Sequence, residues 1–234
     1  MSILQGNSCS ITQKNGEIWT VQTDLQQVYP KSDRLLDTMN RFGEEPMKKS
    51  IKKGTYLFPT PTAMVSCAAE DGVPNIITIA WVGVVCSEPP VLSVSIRPGR
   101  YSHALIKKSG EFVVNIPREG QIRELDFCGV ASGREVDKFK ELGLTPVPGS
   151  EVAAPMIKEC PVNLECRVIE IKSLGTHDLF LAEIVAAHMD EAVMNEKGAI
   201  DIAKLSPIAY CPQASQYWSL KEAIGTYGFT GGKK

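Results

Sequence analysis

The sequence predicts a mainly β (α+β) fold, a β-barrel with short helical insertions. Apolar runs rich in β-branched residues recur from residue 56 onward, and they follow one another without regular intervening helices. A doubly wound α/β sheet would need a helix between successive strands. The chain has 234 residues, of which 43% are hydrophobic, so it can bury a full core as one large domain or two small ones.

The strands can be placed in order from their boundary signals. Asp71, Gly72 and Pro74 mark a turn. Pro89 and Pro90 cannot sit in a central strand, so residues 87–90 are predicted to form a loop. Outside these turns and loops, the sequence predicts strands at 63–69, 76–82, 91–96, 111–116, 162–171 and 179–188.

Short helices interrupt this series of strands. The sequence predicts a helix at 102–109, with Ser102 as its N-cap, two lysines in its last turn and Gly110 closing it. Further helical segments are predicted at 121–127 and 136–142. Because these helices are few and short, they are expected to be insertions in a barrel and not a layer of their own.

Residues 1–46 differ in composition from the rest of the chain, being polar and only weakly alternating. We therefore predict an N-terminal extension or arm at 1–46 and one barrel domain at 47–234. The basic segment that begins at Met47 looks like the start of a second protein, so one hypothesis places the natural start there. The alternative is a genuine short arm that packs on the body or on a partner.

Composition excludes several classes of function. A net charge of −2 gives no general attraction to nucleic acid. A mean hydropathy of −0.07 without a long uncharged apolar run argues against a membrane span. The N-terminus shows no secretory signal pattern, and the seven cysteines form no CxxC pair, so we predict a reduced cytoplasmic protein without a bound metal.

Residues 95–102, SIRPGRYS, predict a site for an anion. The segment begins as a strand and leads into a helix, whose first N–H groups attract negative charge. Arg97 and Arg100 add planar guanidinium groups on either side of a Pro-Gly turn, and such groups suit phosphate oxygens. The alternative is that Ser102 caps the helix for stability alone while the arginines are solvated or paired with Glu88 or Glu111.

The strand at 75–81, NIITIAW, is a second candidate for ligand contact. Strand alternation places Asn75 and Trp81 on one face and Thr78 on the other, so amide and indole groups could border a planar heterocycle. The alternative for Trp81 is a core or dimer contact. Nucleotide and hydrolase motifs of the types GxGxxG, GxxxxGK[ST], GxSxG and HExxH do not occur in the sequence.

An ordered series of motifs resembles the flavin reductase-like, FMN-binding split-barrel family, and within it the flavoredoxins. The resemblance covers roughly residues 50–230. The ordered series of motifs is specific for the family, whereas any single motif would be weak evidence for it. The motifs are TPTAMVS at 60–66, DGVPNIITIAW at 71–81, EPPVL at 88–92, SIRPGRYS at 95–102 and GEFVVNIP at 110–117.

The resemblance implies a split β-barrel homodimer with FMN at each subunit interface. It assigns the strand at 75–81 to the flavin, the corner at 97–102 to the ribityl phosphate, and a DKF segment at 137–139 to a second phosphate or flavin contact. It also implies a histidine and a tyrosine near the isoalloxazine ring. The cofactor-binding residues so implied are Asn75, Thr78, Trp81, Arg97, Arg100, Tyr101, Ser102, Lys138, His177 and Tyr210.

Two of these assignments have a non-functional alternative. On composition Lys138 is a solvated helix lysine, and His177 is a surface loop histidine that could otherwise donate to a flavin oxygen or titrate near neutrality. His103 and His188 match no functional position of the family and are interpreted as structural.

The resemblance implies a flavin-dependent oxidoreductase or an electron carrier. As an enzyme it would take a hydride from NAD(P)H and pass electrons to free flavin or to a protein. As a carrier it would shuttle electrons between redox proteins. The flavin supplies the chemistry, so no catalytic side chain is predicted and His177 is a candidate modulator. The alternatives left open are a flavin-binding or storage module without turnover, a dimer whose pocket has decayed, and a binder of another phosphorylated heterocycle such as pyridoxal phosphate.

Overall fold

The computed structural model describes residues 9–12, 18–21, 48–220 and 222–231. The chain divides into two units, Met1–Lys53 and Gly54–Lys234. In the first unit β1 (Cys9–Thr12) pairs antiparallel with β2 (Ile18–Val21). Most of the predicted arm at 1–46 lies outside the described residues, so its boundary with the barrel domain stays a prediction.

The second unit is built mainly from strands. These are β3 (Thr60–Pro61), β4 (Ala63–Ala68), β5 (Pro74–Ile79), β6 (Val82–Ser87), β7 (Pro90–Ile96), β8 (Glu111–Ile116), β9 (Pro146–Val147), β10 (Met156–Ile157), β11 (Val162–Ser173), β12 (Asp178–Met189), β13 (Ile208–Cys211) and β14 (Gln216–Ser219). Four short helices interrupt them: α1 (Tyr101–Ser109), α2 (Ile122–Val130), α3 (Lys138–Leu142) and α4 (Ile202–Leu205). Single 3₁₀ turns lie at Glu119–Gln121, Glu191–Val193 and Phe229–Gly231.

Seven strands form one antiparallel sheet in the order β5-β4-β8-β11-β12-β7-β6. The two edge strands, β5 and β6, are consecutive in the chain and are separated only by Ala80 and Trp81. A connection this short requires the two edges of the sheet to approach each other, so the sheet must curl into a barrel. β5 and β6 are not hydrogen-bonded neighbours in the sheet, which leaves the barrel split between them.

The barrel is filled by alternate residues of its strands. Ala63, Val65 and Cys67 of β4 point into the main core together with residues of β5, β7, β8 and β12, and Ile106 of α1 closes one end of it. Met64, on the other face of β4, packs in a second cluster against α2 and α3. Both faces of β4 are therefore buried, and its sequence is apolar for that reason except at Ser66, whose hydroxyl donates to the Pro155 carbonyl.

The predicted mainly β barrel with short helical insertions is confirmed. One predicted strand is wrong at its end, since residues 76–82 do not form a single strand. β5 stops at Ile79 and β6 begins at Val82, because the chain must turn at this point to pass from one edge of the barrel to the other. Among the described residues, no helix is long and apolar enough to cross a membrane.

Candidate functional site

A cleft opens where the first turn of α1 meets the start of β5 and the loop between α2 and α3. It contains about 350 Å³ of space that is open to solvent. The residues that line it are Asn75, Ile77, Gly99, Arg100, Tyr101, Ser102, Ala131, Ser132, Gly133, Arg134 and Lys138. Five of the ten predicted cofactor residues therefore lie together, although four separate segments of the chain contribute the lining.

The cleft is organised around a buried hydrogen bond between β5 and α1. The Asn75 Nδ2 donates to Ser102 Oγ at 2.6 Å, and both side chains are buried. A serine hydroxyl that accepts one hydrogen bond keeps its own proton for another. Ser102 is thus oriented by the strand and can still donate to a ligand in the cleft.

Ser102 is not the N-cap of α1, which corrects the sequence prediction. The helix begins at Tyr101, and its N-cap is Arg100, which has extended backbone angles and makes no side-chain capping bond. The Arg100 N–H closes a turn onto the Arg97 carbonyl at 2.9 Å, and this turn starts the helix one residue early. The Ser102 hydroxyl is consequently free of a capping role and faces Asn75.

The loop between α2 and α3 forms the opposite wall. At Gly133 an added Cβ would collide with the Asn75 amide group and approach the Tyr101 ring to 2.9 Å. Only glycine permits this close approach of the loop backbone to the site. The loop is also attached to the α1 corner, because Arg134 Nη1 donates to the Gly99 carbonyl at 3.1 Å and its guanidinium lies 5.4 Å from the Tyr101 ring centroid.

The charge of the cleft is one-sided. Arg100, Arg134 and Lys138 contribute three cationic groups, and no aspartate or glutamate is among the lining residues. The predicted alternative, in which the arginines at this corner pair with Glu88 or Glu111, does not occur among the described residues, where Glu111 pairs with Arg167 at 3.8 Å. The three cationic side chains are therefore not neutralised by a carboxylate of the lining, and they can bind an anion that enters the cleft.

Lys138 is the most unusual of these groups because it is only 3% exposed. Its Nζ donates to the carbonyls of Ile76 at 2.8 Å and Cys128 at 2.9 Å. Burial lowers the pKa of Lys138 below its usual value, and the nearby Arg100 guanidinium lowers it further. The alternative prediction, that Lys138 is a solvated helix lysine, is therefore wrong. Two carbonyl partners leave one ammonium N–H for a ligand.

Arg134 and Gly133 were not predicted from the sequence as site residues. The available signal was the run Ala131-Ser-Gly-Arg134, a small-residue loop with one arginine shortly before the DKF segment. Nothing local in that run shows which surface the arginine reaches, since the packing of α2 and α3 against β5 decides it.

Arg97 and His177 lie beside the cleft and not in its lining. Arg97 is exposed, and His177 sits in the loop between β11 and β12, with Nδ1 at 2.9 Å from the Thr176 hydroxyl. Partial burial lowers the pKa of His177, and the positive charge of Arg97 lowers it further. The Pro98–Gly99 turn thus separates Arg100, which lines the cleft, from Arg97, which is exposed outside the lining.

Three other predicted residues also lie outside the cleft lining. The Thr78 hydroxyl donates to the Leu125 carbonyl of α2. Trp81 is half-buried in the bend between β5 and β6, and its carbonyl accepts from the Ser95 N–H at 2.9 Å. Tyr210 packs on Tyr217 at 5.1 Å between ring centroids. Their assignment to a flavin stays a prediction.

Comparison with known proteins agrees with this architecture. The flavin reductase like domain family matches residues 55–219. The solved structure of flavoredoxin from Desulfovibrio vulgaris (Miyazaki F) is 37% identical, with a TM-score of 0.75 over 80% of this chain and all of that one. An FMN-binding protein from Thermus thermophilus is 25% identical, with a TM-score of 0.65 over 78% of this chain and 99% of that one.

A curated relative has an enzymatic description. The reductase component of a 4-nitrophenol 4-monooxygenase/4-nitrocatechol 2-monooxygenase from Rhodococcus opacus is 30% identical over 153 residues, which are 65% of this chain and 79% of the relative. The family match spans well over half of the sequence and includes every residue of the cleft. The chain belongs to the flavin reductase-like family.

Proposed function

We propose that this chain is an FMN-binding flavoprotein whose cleft holds the phosphate end of the cofactor. The observation that carries the proposal is the charge of the cleft, where three cationic side chains stand without a carboxylate among the lining residues. A phosphate monoester carries about −1.5 to −2 charges at pH 7 and three strong acceptor oxygens. It would therefore compensate the cluster of Arg100, Arg134 and Lys138.

The neutral groups of the cleft also fit a phosphate. Ser102 is positioned to donate its hydroxyl proton, and the start of α1, a helix of nine residues with no acidic residue in its first turn, lies at the same corner. The cleft is small, since even its 350 Å³ of empty space includes open solvent. We therefore assign it to the phosphate end of FMN and not to its ring system.

The family and the monooxygenase reductase relative support a flavin-linked oxidoreductase role. A bound flavin would supply reversible hydride and electron transfer, while the protein binds and orients it. The side chains of the cleft hold the phosphate, and the exposed Arg97 adds positive charge at the neighbouring turn. We propose NAD(P)H or a redox protein as the electron donor, in keeping with the enzyme and carrier forms of the function.

A homodimer is part of the same proposal. β6 is an edge strand of the seven-stranded sheet, and it exposes Val84 at 71% and Val85 at 56%. Exposed apolar side chains on an unpaired strand edge are a common interface feature. Light scattering on Val84→Lys, with the exposed turn valine variant Val73→Lys as control, tests this. The proposal is supported if Val84→Lys is a monomer while Val73→Lys remains a dimer. It is contradicted if the unaltered protein is a monomer.

The visible spectrum of the purified protein, with and without added FMN, tests the cofactor assignment. A flavin spectrum that persists through gel filtration supports it. A colourless protein that takes up no FMN would favour a decayed pocket, and a spectrum of a different heterocycle would replace FMN by that ligand. Anaerobic mixing with NADH and NADPH then separates the functions: rapid bleaching indicates an enzyme, and absence of bleaching leaves a carrier or a storage module.

A further inference from the structure

Two histidine–carboxylate pairs stabilise the barrel, and the one next to the cleft is buried while the other has a partly exposed histidine. His103 Nε2 is 2.8 Å from Asp178 Oδ2, and the side chains are only 8% and 10% exposed. The second pair, His188 Nε2 with Glu165 Oε1 at 2.6 Å, involves other positions of β11 and β12 and no residue of the cleft lining. The two pairs share their chemistry and differ in their surroundings.

His103 follows Ser102 directly in the first turn of α1. Its ring packs edge-on against Phe180, with 5.2 Å between the ring centroids. The hydrogen bonds from Ser173 and His103 lower the pKa of Asp178, so its carboxylate is ionised and can only accept. The imidazole Nε2–H must then be the donor, and this bond connects the first turn of α1, which carries Ser102, to the start of β12.

Asp178 connects this helix to the neighbouring loop. Its second oxygen accepts from Ser173 Oγ at 2.6 Å, and the two residues face each other where β11 ends and β12 begins. The residues between them form the loop that holds His177. On its other side Asp178 is paired in register with Ile96, the residue before Arg97. The Asp178 carboxylate therefore joins α1 to the end of β11 beside the His177 loop, and the Asp178 backbone pairs with the end of β7.

We propose that His103 and Asp178 are positioning residues of the cofactor site, which hold the Ser102 turn in register with the Arg97–His177 corner. This inference rests on the proposed function. Loss of either partner leaves the other buried without its hydrogen bond, and the least costly relaxation moves α1 or the loop towards water. Either movement displaces the Ser102 hydroxyl from the cleft, so the phosphate loses contacts that the flavin ring does not use.

Equilibrium titration with FMN and with riboflavin, which lacks the phosphate, isolates this effect. We expect His103→Gln and Asp178→Asn each to lower the FMN-to-riboflavin affinity ratio by about tenfold, the factor set by one poorly made charge-assisted contact. His188→Gln is the matched control, since Glu165 keeps its backbone N–H partners, and it should leave the ratio unchanged. Ser173→Ala, at an exposed position, should lower the ratio by a smaller factor and serves if Asp178→Asn fails to fold.

The outcomes distinguish this inference from the function on which it rests. An unaltered protein that prefers FMN, together with an unchanged ratio in His103→Gln and Ser173→Ala, overturns the positioning role alone. A fall of equal size in His188→Gln also overturns it, because the effect would then be general destabilisation. An unaltered protein that binds neither flavin overturns the proposed function and this inference together.

Discussion

Asn75 and Ser102 are 27 positions apart in the sequence and share a buried hydrogen bond of 2.6 Å from the amide Nδ2 to the hydroxyl oxygen. The bond joins the edge strand β5 to the first turn of α1, which are the two elements that form the floor of the cleft. It gives Ser102 an orientation that a helix N-cap would not have, because the hydroxyl faces the strand and not its own helix.

Replacement of Ser102 by alanine should affect both stability and ligand binding. Ser102→Ala leaves the Asn75 amide buried without an acceptor, so we expect a loss of about 1–3 kcal/mol in the free energy of unfolding. FMN affinity should fall as well, since the cleft loses a donor. Chemical denaturation and FMN titration measure the two effects. Ser102→Thr, which keeps the hydroxyl, should recover FMN affinity, and no recovery would show that the hydroxyl is irrelevant.

Gly133 should tolerate no side chain. An added Cβ would meet the Asn75 amide and the Tyr101 ring, so Gly133→Ala must push the loop away from the cleft. We expect a destabilisation of about 1–3 kcal/mol, as for overpacking elsewhere, and weaker FMN binding. Gly120→Ala is the control, because its Cβ would enter open space. Equal unfolding midpoints for the two variants would contradict the close approach of Gly133 to Asn75 and Tyr101.

Arg134 should contribute to anion affinity although it belongs to an exposed loop. Removal of its guanidinium in Arg134→Ala should weaken FMN binding by about 1–3 kcal/mol through loss of a charge-assisted contact. The decrease should shrink as ionic strength rises, because salt screens exposed charges. Arg123, an exposed arginine of α2 outside the cleft lining, provides the control. If Arg123→Ala weakens binding as much as Arg134→Ala does, only net charge matters.

The lowered pKa of Lys138 should make FMN affinity depend on pH. Burial lowers its pKa from the ordinary value of 10.5, so at alkaline pH the unliganded protein loses this proton earlier than an exposed lysine would. A phosphate favours the ammonium form, and binding must therefore take up a proton in that range. Affinity should fall as pH rises through the lowered pKa. Isothermal titration in two buffers of different ionisation enthalpy detects the uptake, and in Lys138→Met it should vanish.

Glu165, which lies outside the cleft lining, should contribute stability that is lost in acid. Burial alone would raise its pKa, but hydrogen bonds from the N–H groups of Ser150 and Glu151 and from His188 lower the pKa to about 2. A carboxyl with a lowered pKa in the folded state stabilises the fold above its ordinary pKa of 4.5, and this contribution is lost as pH falls towards 2. Glu165→Gln should unfold more easily at pH 7 and show a flatter decline in acid. An unchanged acid profile would contradict the assignment.

Strand sequences predicted the barrel well because their patterns are local. β8 matches its predicted range, and β7 begins one residue before it, since Pro90 tolerates the first position of a strand. The break after Ile79 could not be predicted in the same way, because residues 76–82 are continuously β-prone and only closure of the barrel forces a turn there.

The candidate site was predictable where one segment contains it and not where packing assembles it. Arg100 and Ser102 lie in one strand–turn–helix segment with clear anion chemistry. Gly133 and Arg134 join them only because α2 and α3 pack on β5, a contact that no sequence pattern marks. The exposed position of Arg97, so close to Arg100 in sequence, depends on the turn at Pro98 and Gly99, whose geometry the residue types leave open.

The affinity of the unaltered protein for FMN relative to riboflavin shows whether the cationic cleft binds the phosphate. If the cationic cleft holds the phosphate, FMN should bind more tightly than riboflavin by at least about tenfold at low ionic strength, and high salt should reduce the difference. Equal affinity for the two flavins at every ionic strength would show that the cleft of Arg100, Arg134 and Lys138 does not hold the phosphate.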